Sequence, residues 1–162
     1  MIHKLYISSQ SFVIAGIILL TFLCANFQSS EIQVYPNLQV IVNKEIGVSQ
    51  LTKSQFEKII HGEQLRWPNV NKSIYLVFIE TGQPINVDMC DKMFNFTTRE
   101  FNKFWIKLEF EGKLTNSPEY FYYEEEVIKF VARTPGAIGV ISSETKSDLV
   151  KTITITENQV NP

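Results

Sequence analysis

Cysteine and histidine are scarce in this chain, two of each in 162 residues, and each scarcity closes off a class of chemistry. Cys24 sits in an apolar N-terminal run, so once that run is removed Cys90 is the only thiol and no internal disulfide framework can form. His3 belongs to the same N-terminal segment. His61 therefore has no second histidine to build a zinc site with, and no Cys–His dyad has support in the pattern. A surplus of basic residues is also missing. Fifteen Lys and Arg stand against seventeen Asp and Glu, a net charge of −2, which excludes the basic stripe of a nucleic-acid surface. There is no internal repeat and no low-complexity segment.

What is present begins with a short cationic stretch, "MIHKLYISSQ", followed by the apolar run Phe12 to Ala25. That order, ending on a small residue, is the pattern of a secretory signal, here residues 1–25. The run is shorter than the roughly 20 residues a spanning helix needs. An uncleaved membrane anchor is the alternative. Cys24 follows Thr21-Phe22-Leu23 instead of the small residue that precedes a lipidated cysteine. Residues 26–37 read as a lead-in, 38–157 as one α/β domain, and 158–162 as a tail. The expected location is periplasmic or extracellular.

Within the domain, Leu38 to Lys44 is rich in β-branched residues and reads as a buried strand. Thr52 followed by Gln55 is a capping-box signature, and Gly62 closes the helix it opens. Ser73 to Glu80 is a second strand. Pro84 suits the first position of a helix running through "INVDMCDKMFN", with Met89 and Met93, and Cys90 and Phe94, paired four apart. Cys90 thus reads as a packed thiol. A further helix starts at Thr97 or Thr98, with Phe101, Phe104, Trp105 and Leu108 on one face. The next covers Tyr123 to Arg133, with Val127, Ile128 and Val131 inward. Thr134-Pro135-Gly136 ends it, Ala137 to Ile141 is a strand containing Gly139, and Lys151 to Glu157 alternates like an edge strand. Helices alternating with buried strands give an α/β layered domain.

Few residues offer chemistry. His61 is explained as a helix C-terminal cap, and Glu124-Glu125-Glu126 as the acidic first turn a helix dipole favours. "EYFYY", Glu119 to Tyr123, reads as cover for one end of the core, with ligand stacking as the other reading. "ETGQPIN", Glu80 to Asn86, is different. A strand end, a glycine turn and a helix N-terminus leave amides free for an oxyanion, with a hydroxyl from Thr81 and an amide from Asn86. An ordinary strand-to-helix turn is the bland reading.

"VIVNK" at Val40 to Lys44, "LTKSQFEKIIHGEQLRWPN" at Leu51 to Asn69, Phe104-Trp105, "FEGK" at Phe110 to Lys113 and "TPGAIGVI" at Thr134 to Ile141 together resemble the periplasmic phosphate-binding proteins of ABC uptake systems. The likeness is greatest to their short, single-lobe members. It implies a single lobe of the type 2 periplasmic-binding-protein-like fold, a mixed sheet with helices on both faces. It also implies an anion-holding turn at Thr81, Gly82, Gln83 and Asn86. Gln83 falls where the family has serine and Asn86 about where it has arginine. Val140 replaces a usual tyrosine, and Glu63 follows Gly62 where lysine is usual.

The resulting expectation is an extracytoplasmic solute-binding-like protein that holds phosphate or another small oxyanion weakly, without cofactor, metal or catalytic activity. A membrane permease or an envelope protein is the expected partner. The alternative is a non-catalytic envelope interaction module built on the same fold with a degenerate ligand site.

Overall fold

The computed structural model describes residues 35, 37–68 and 70–157; the expected signal and tail, and most of the lead-in, lie outside them. The described residues form, in order, β1 (Leu38–Val42), β2 (Gln50–Thr52), α1 (Lys53–Ile60), β3 (Tyr75–Ile79), α2 (Pro84–Met89), α3 (Thr98–Phe110), β4 (Glu119–Phe121), α4 (Glu124–Arg133), β5 (Ala137–Ser142) and β6 (Lys151–Thr156). A π-helical turn, Cys90–Phe94, extends α2 and ends at Asn95, which takes a left-handed conformation. Among the described residues, no helix is long and apolar enough to cross a membrane.

The strands form one mixed sheet in the order β2-β6-β1-β5-β3-β4. β1 lies antiparallel to both β5 and β6, while β3 runs parallel to β5 and β4. Strand alternation sends successive side chains to opposite faces. On one face Leu38, Val40 and Val42 join Ile138 and Val140 beneath Phe56, Met89, Phe94, Phe101 and Trp105 of the first three helices. On the other, Ile41, Val77, Ala137 and Ile141 meet Val127, Ile128 and Val131 of α4. The sheet is therefore covered on both sides, as the resemblance implied.

Local sequence accounts for the helix starts. Thr52 Oγ1 accepts from the Gln55 N–H (3.2 Å), and Gln55 Oε1 accepts from the Thr52 N–H (2.9 Å). Thr97 and Glu100 repeat the arrangement at α3. Two expectations need correction. Lys151–Thr156 is not an edge strand, because β2 pairs parallel with it from Gln50 to Thr52. The stretch from Glu111 to Tyr120, with Gly112 and Pro118, reads from sequence as a loop, but its end joins a strand, Glu119 to Phe121, which forms the opposite edge against β3.

Gly136 and Gly139 have separate reasons. Gly136 takes φ +96°, and its carbonyl accepts from Trp67 Nε1 (2.9 Å) and the Tyr75 N–H (3.3 Å). Gly139 faces α4, where an added Cβ would come within 2.9 Å of Val127 and 3.0 Å of Val77. Its missing side chain lets helix and sheet pack closely.

Candidate functional site

The strand-to-helix turn after β3 is built by three constraints. The Glu80 N–H donates to Phe121 O (2.8 Å), carrying the ladder one residue past the strand. The Gln83 N–H donates back to Glu80 O (3.3 Å), and Gly82 takes φ +90°, a conformation that favours glycine. Pro84 then starts α2 without an N–H to lose. Gln83 is the N-cap, and its side chain makes no capping bond. The amides of Ile85 and Asn86 stand at the second and third positions of the helix, where intrahelical partners do not exist.

The four residues expected at the site divide into two groups. Thr81 and Gly82 are exposed and Gln83 half-buried, together on the outside of the turn. Asn86 lies beneath it, fully buried, its Nδ2 donating to Ile79 O at 2.8 Å and its Oδ1 accepting from the Cys90 thiol at 3.5 Å. The Asn86 side chain thus clamps the end of β3 to α2, and the residue as a whole is out of reach of solvent. Thr81 Oγ1 donates to Asn102 Oδ1 (3.1 Å), and the Thr81 N–H donates to the carboxylate of Glu80 (3.3 Å).

An open cleft of about 420 Å³ separates the start of α2 from the start of α4. Gln83, Pro84 and Ile85 form one wall, and Tyr122, Tyr123, Glu124 and Glu125 the other. No basic side chain lines it. Glu124 is more than a solvated first-turn acid: it accepts from the Ser142 N–H (3.2 Å) and from the Thr145 hydroxyl, tying α4 to the end of β5.

Sequence reasoning did not single out Tyr122 and Tyr123 from their neighbours. Tyr120 and Phe121 are half-buried on β4, but Tyr122 and Tyr123 are 56% and 62% exposed, rings edge to face at 4.9 Å. The available signal was their place immediately before a helix N-terminus, past the last residue that pairs with β3.

His61 is the C-terminal cap of α1, as expected. Its ring packs edge-on to Phe94 (5.2 Å) and Phe104 (5.9 Å). Cys90 is buried, and burial pushes its thiol from the ordinary 9.0 up to about 11. Burial, with the charges of Glu57 and Glu157, likewise pushes Tyr35 up to about 12. Both raised values mean that the folded chain keeps protons which the unfolded chain releases. For the thiol the stabilisation is complete below pH 9 and is lost as pH rises toward 11; for the Tyr35 phenol the same loss runs from pH 10 toward 12. The urea midpoint is expected to fall between pH 8 and pH 10.5, with roughly 1–2 kcal/mol from the thiol. Cys90→Ala is expected to flatten that slope, and an unchanged slope would contradict the assignment.

No model of a known protein family and no curated protein matches the sequence. Solved structures do match. An ABC-type phosphate transport receptor from Vibrio cholerae superposes with a TM-score of 0.52 at 17% identity, over 78% of this chain and 48% of its own. PstS from Borrelia burgdorferi gives 0.59 at 19% identity, over 78% and 49%. A chain from Clostridium perfringens solved with bound phosphate gives 0.57 at 20% identity, over 76% and 47%. This chain shares their fold. It spans about half the length of each of them, and at these identities the likeness is one of fold alone.

Proposed function

We propose that the protein is an extracytoplasmic solute-binding-like lobe that holds a small oxyanion weakly at the turn formed by Thr81, Gly82 and Gln83, with Asn86 fixing the turn from below. The observation that carries this reading is the exposed turn itself, opening onto the Ile85 amide at the start of α2 in a fold shared with a phosphate-bound structure. In this reading the Thr81 hydroxyl, turned from Asn102 Oδ1 to the anion, the Gln83 side-chain amide and the Ile85 N–H are the donors. Residues 1–25 act as the export signal, and a membrane permease is the natural partner of such a lobe.

Weak binding follows from charge. Charge-assisted hydrogen bonds are about twice as strong as neutral ones, and the cleft offers none from Lys or Arg. The Glu80 carboxylate already takes the Thr81 N–H. A dissociation constant on the order of 1 mM, about −4 kcal/mol, is the expected outcome for phosphate. Calorimetric titration with phosphate and sulfate tests it. Saturable binding that Thr81→Ala or Gln83→Ala abolishes is expected, and binding unaffected by both substitutions would move the site elsewhere.

The exposed pair Tyr122 and Tyr123 favours a second reading, a non-catalytic envelope interaction module on the same fold. Its mark would be no heat with any anion, together with specific association with an envelope protein that Tyr122→Ala and Tyr123→Ala disrupt.

A further inference from the structure

On the far flank of the Thr81 turn a second cleft, of about 290 Å³, has Trp105 in its wall. Trp105 is 3% exposed, and its Nε1–H has no acceptor among the described residues. The other indole, Trp67, donates to Gly136 O at 2.9 Å. A buried donor left without a partner carries a desolvation penalty that a bound acceptor would relieve. The Cζ3 edge of the ring lies toward Gly62: a Cβ there would lie 3.5 Å from Cζ3 of Trp105 and close to Leu108 and Leu114. Nε1 is on the opposite edge of the indole. On the α3 wheel Asn102, Ile106 and Glu109 lie on the side of Trp105 away from Leu108, and all three line the cleft with it.

The charge of this cleft has one sign. Glu80 reaches it from the turn and Glu109 from α3, with no Lys or Arg in its walls. The lysines nearest in sequence to Glu109 are engaged elsewhere, since Lys107 and Lys113 both pair with Glu111, at 3.9 and 2.7 Å. Glu109 accepts from Ser117 Oγ (2.8 Å), and Asn102 Oδ1 is taken by Thr81, leaving the Nδ2 end of Asn102 as a donor. The Tyr120 phenol is pushed up by burial and then by the charges of Glu80, Cys90 and Glu109, so carboxylates from two elements act on one spot.

We infer that this cleft binds a small organic ammonium that also carries a hydrogen-bond acceptor. Glu80 and Glu109 hold the ammonium, the acceptor takes the Trp105 Nε1–H, and Ile106, Pro118 and Tyr120 supply an apolar wall. The charge preference is opposite to that of the oxyanion turn, and the inference does not rest on it.

The test is a proton–nitrogen correlation titration of the full chain, reading the two indole signals, with Trp105→Phe assigning them. Ethanolamine is expected to shift the Trp105 signal saturably and leave Trp67 in place. Ethylene glycol, which keeps the acceptor but lacks the charge, is expected to shift it far less. Glu109→Gln, at an exposed position, is expected to weaken ethanolamine binding about tenfold, or 1.4 kcal/mol, with the Trp67 signal unmoved as the check on folding. No saturable shift with ethanolamine, an equal response to ethylene glycol, or a Trp105 shift driven by phosphate instead would each overturn the inference. Phosphate that moves neither indole, nor any amide of the turn, would count against the oxyanion reading alone.

Discussion

Gly136→Ala is expected to cost the domain about 2–5 kcal/mol, a large part of the 5–15 kcal/mol that holds a typical domain together. Two effects add. A side chain at φ +96° pays about 1–2 kcal/mol for the left-handed conformation, and the new Cβ would lie 2.2 Å from the carbonyl oxygen of Ser73. That neighbour is backbone and cannot swing aside. Ile74 next to it donates to Leu65 O at 2.9 Å, and the Gly136 carbonyl is itself held by Trp67 and Tyr75. Relieving the clash means breaking these bonds or overpacking the entry to β5, which costs a further 1–3 kcal/mol or so. Gly82→Ala is the control. It has φ +90° but nothing within 4 Å of an added Cβ, so only the conformational part, about 1–2 kcal/mol, should appear. Urea melts of the two variants measure the difference. Equal losses would mean that the Ser73 contact relaxes at no cost.

Asn86→Asp is expected to be the most damaging single-atom-scale change in the candidate site. The side chain is fully buried and its Nδ2 donates to Ile79 O. Replacing that donor with an ionised oxygen leaves an unpaired buried charge facing a carbonyl, a change of about 3–5 kcal/mol. Burial raises the native-state pKa of such a carboxyl above its unfolded value near 3.9. The folded variant then binds a proton that the unfolded chain has released, so its stability falls as pH rises above about 4 and recovers on acidification. Comparing Asn86→Asp with the parent protein at pH 5 and pH 8 reads this directly. A loss smaller than 1 kcal/mol or so at pH 8, or one that does not shrink at pH 5, would show that position 86 turns outward. The same burial bears on the resemblance: an arginine at this position could not point where Asn86 points.

Elements fixed by local chemistry were legible in the sequence. The capping box at Thr52, the helix start at Thr97 or Thr98, Pro84 at the head of α2 and the Gly62 stop are all nearest-neighbour effects, and all were found where the pattern placed them. β2 and β4 were not legible, because three-residue strands owe their conformation to a partner far along the chain, β6 for one and β3 for the other. The same missing partner made β6 read as an edge. For the candidate site, the turn Thr81-Gly82-Gln83 could be read from glycine and proline spacing. Whether Asn86 faced solvent or Ile79 could not, since that depends on how α2 is rotated against the sheet. Tyr122 and Tyr123 were hidden for a related reason: aromatic residues in sequence look alike until the strand that buries Tyr120 and Phe121 is seen to stop before them.

The measurement that tests the central claim most directly is a residue-resolved amide titration of the protein with inorganic phosphate. The account predicts saturable shifts centred on Thr81, Gly82, Gln83 and Ile85, at concentrations on the order of 1 mM, and their loss in Thr81→Ala. No saturable shift at any amide, or shifts centred away from this turn, would contradict it.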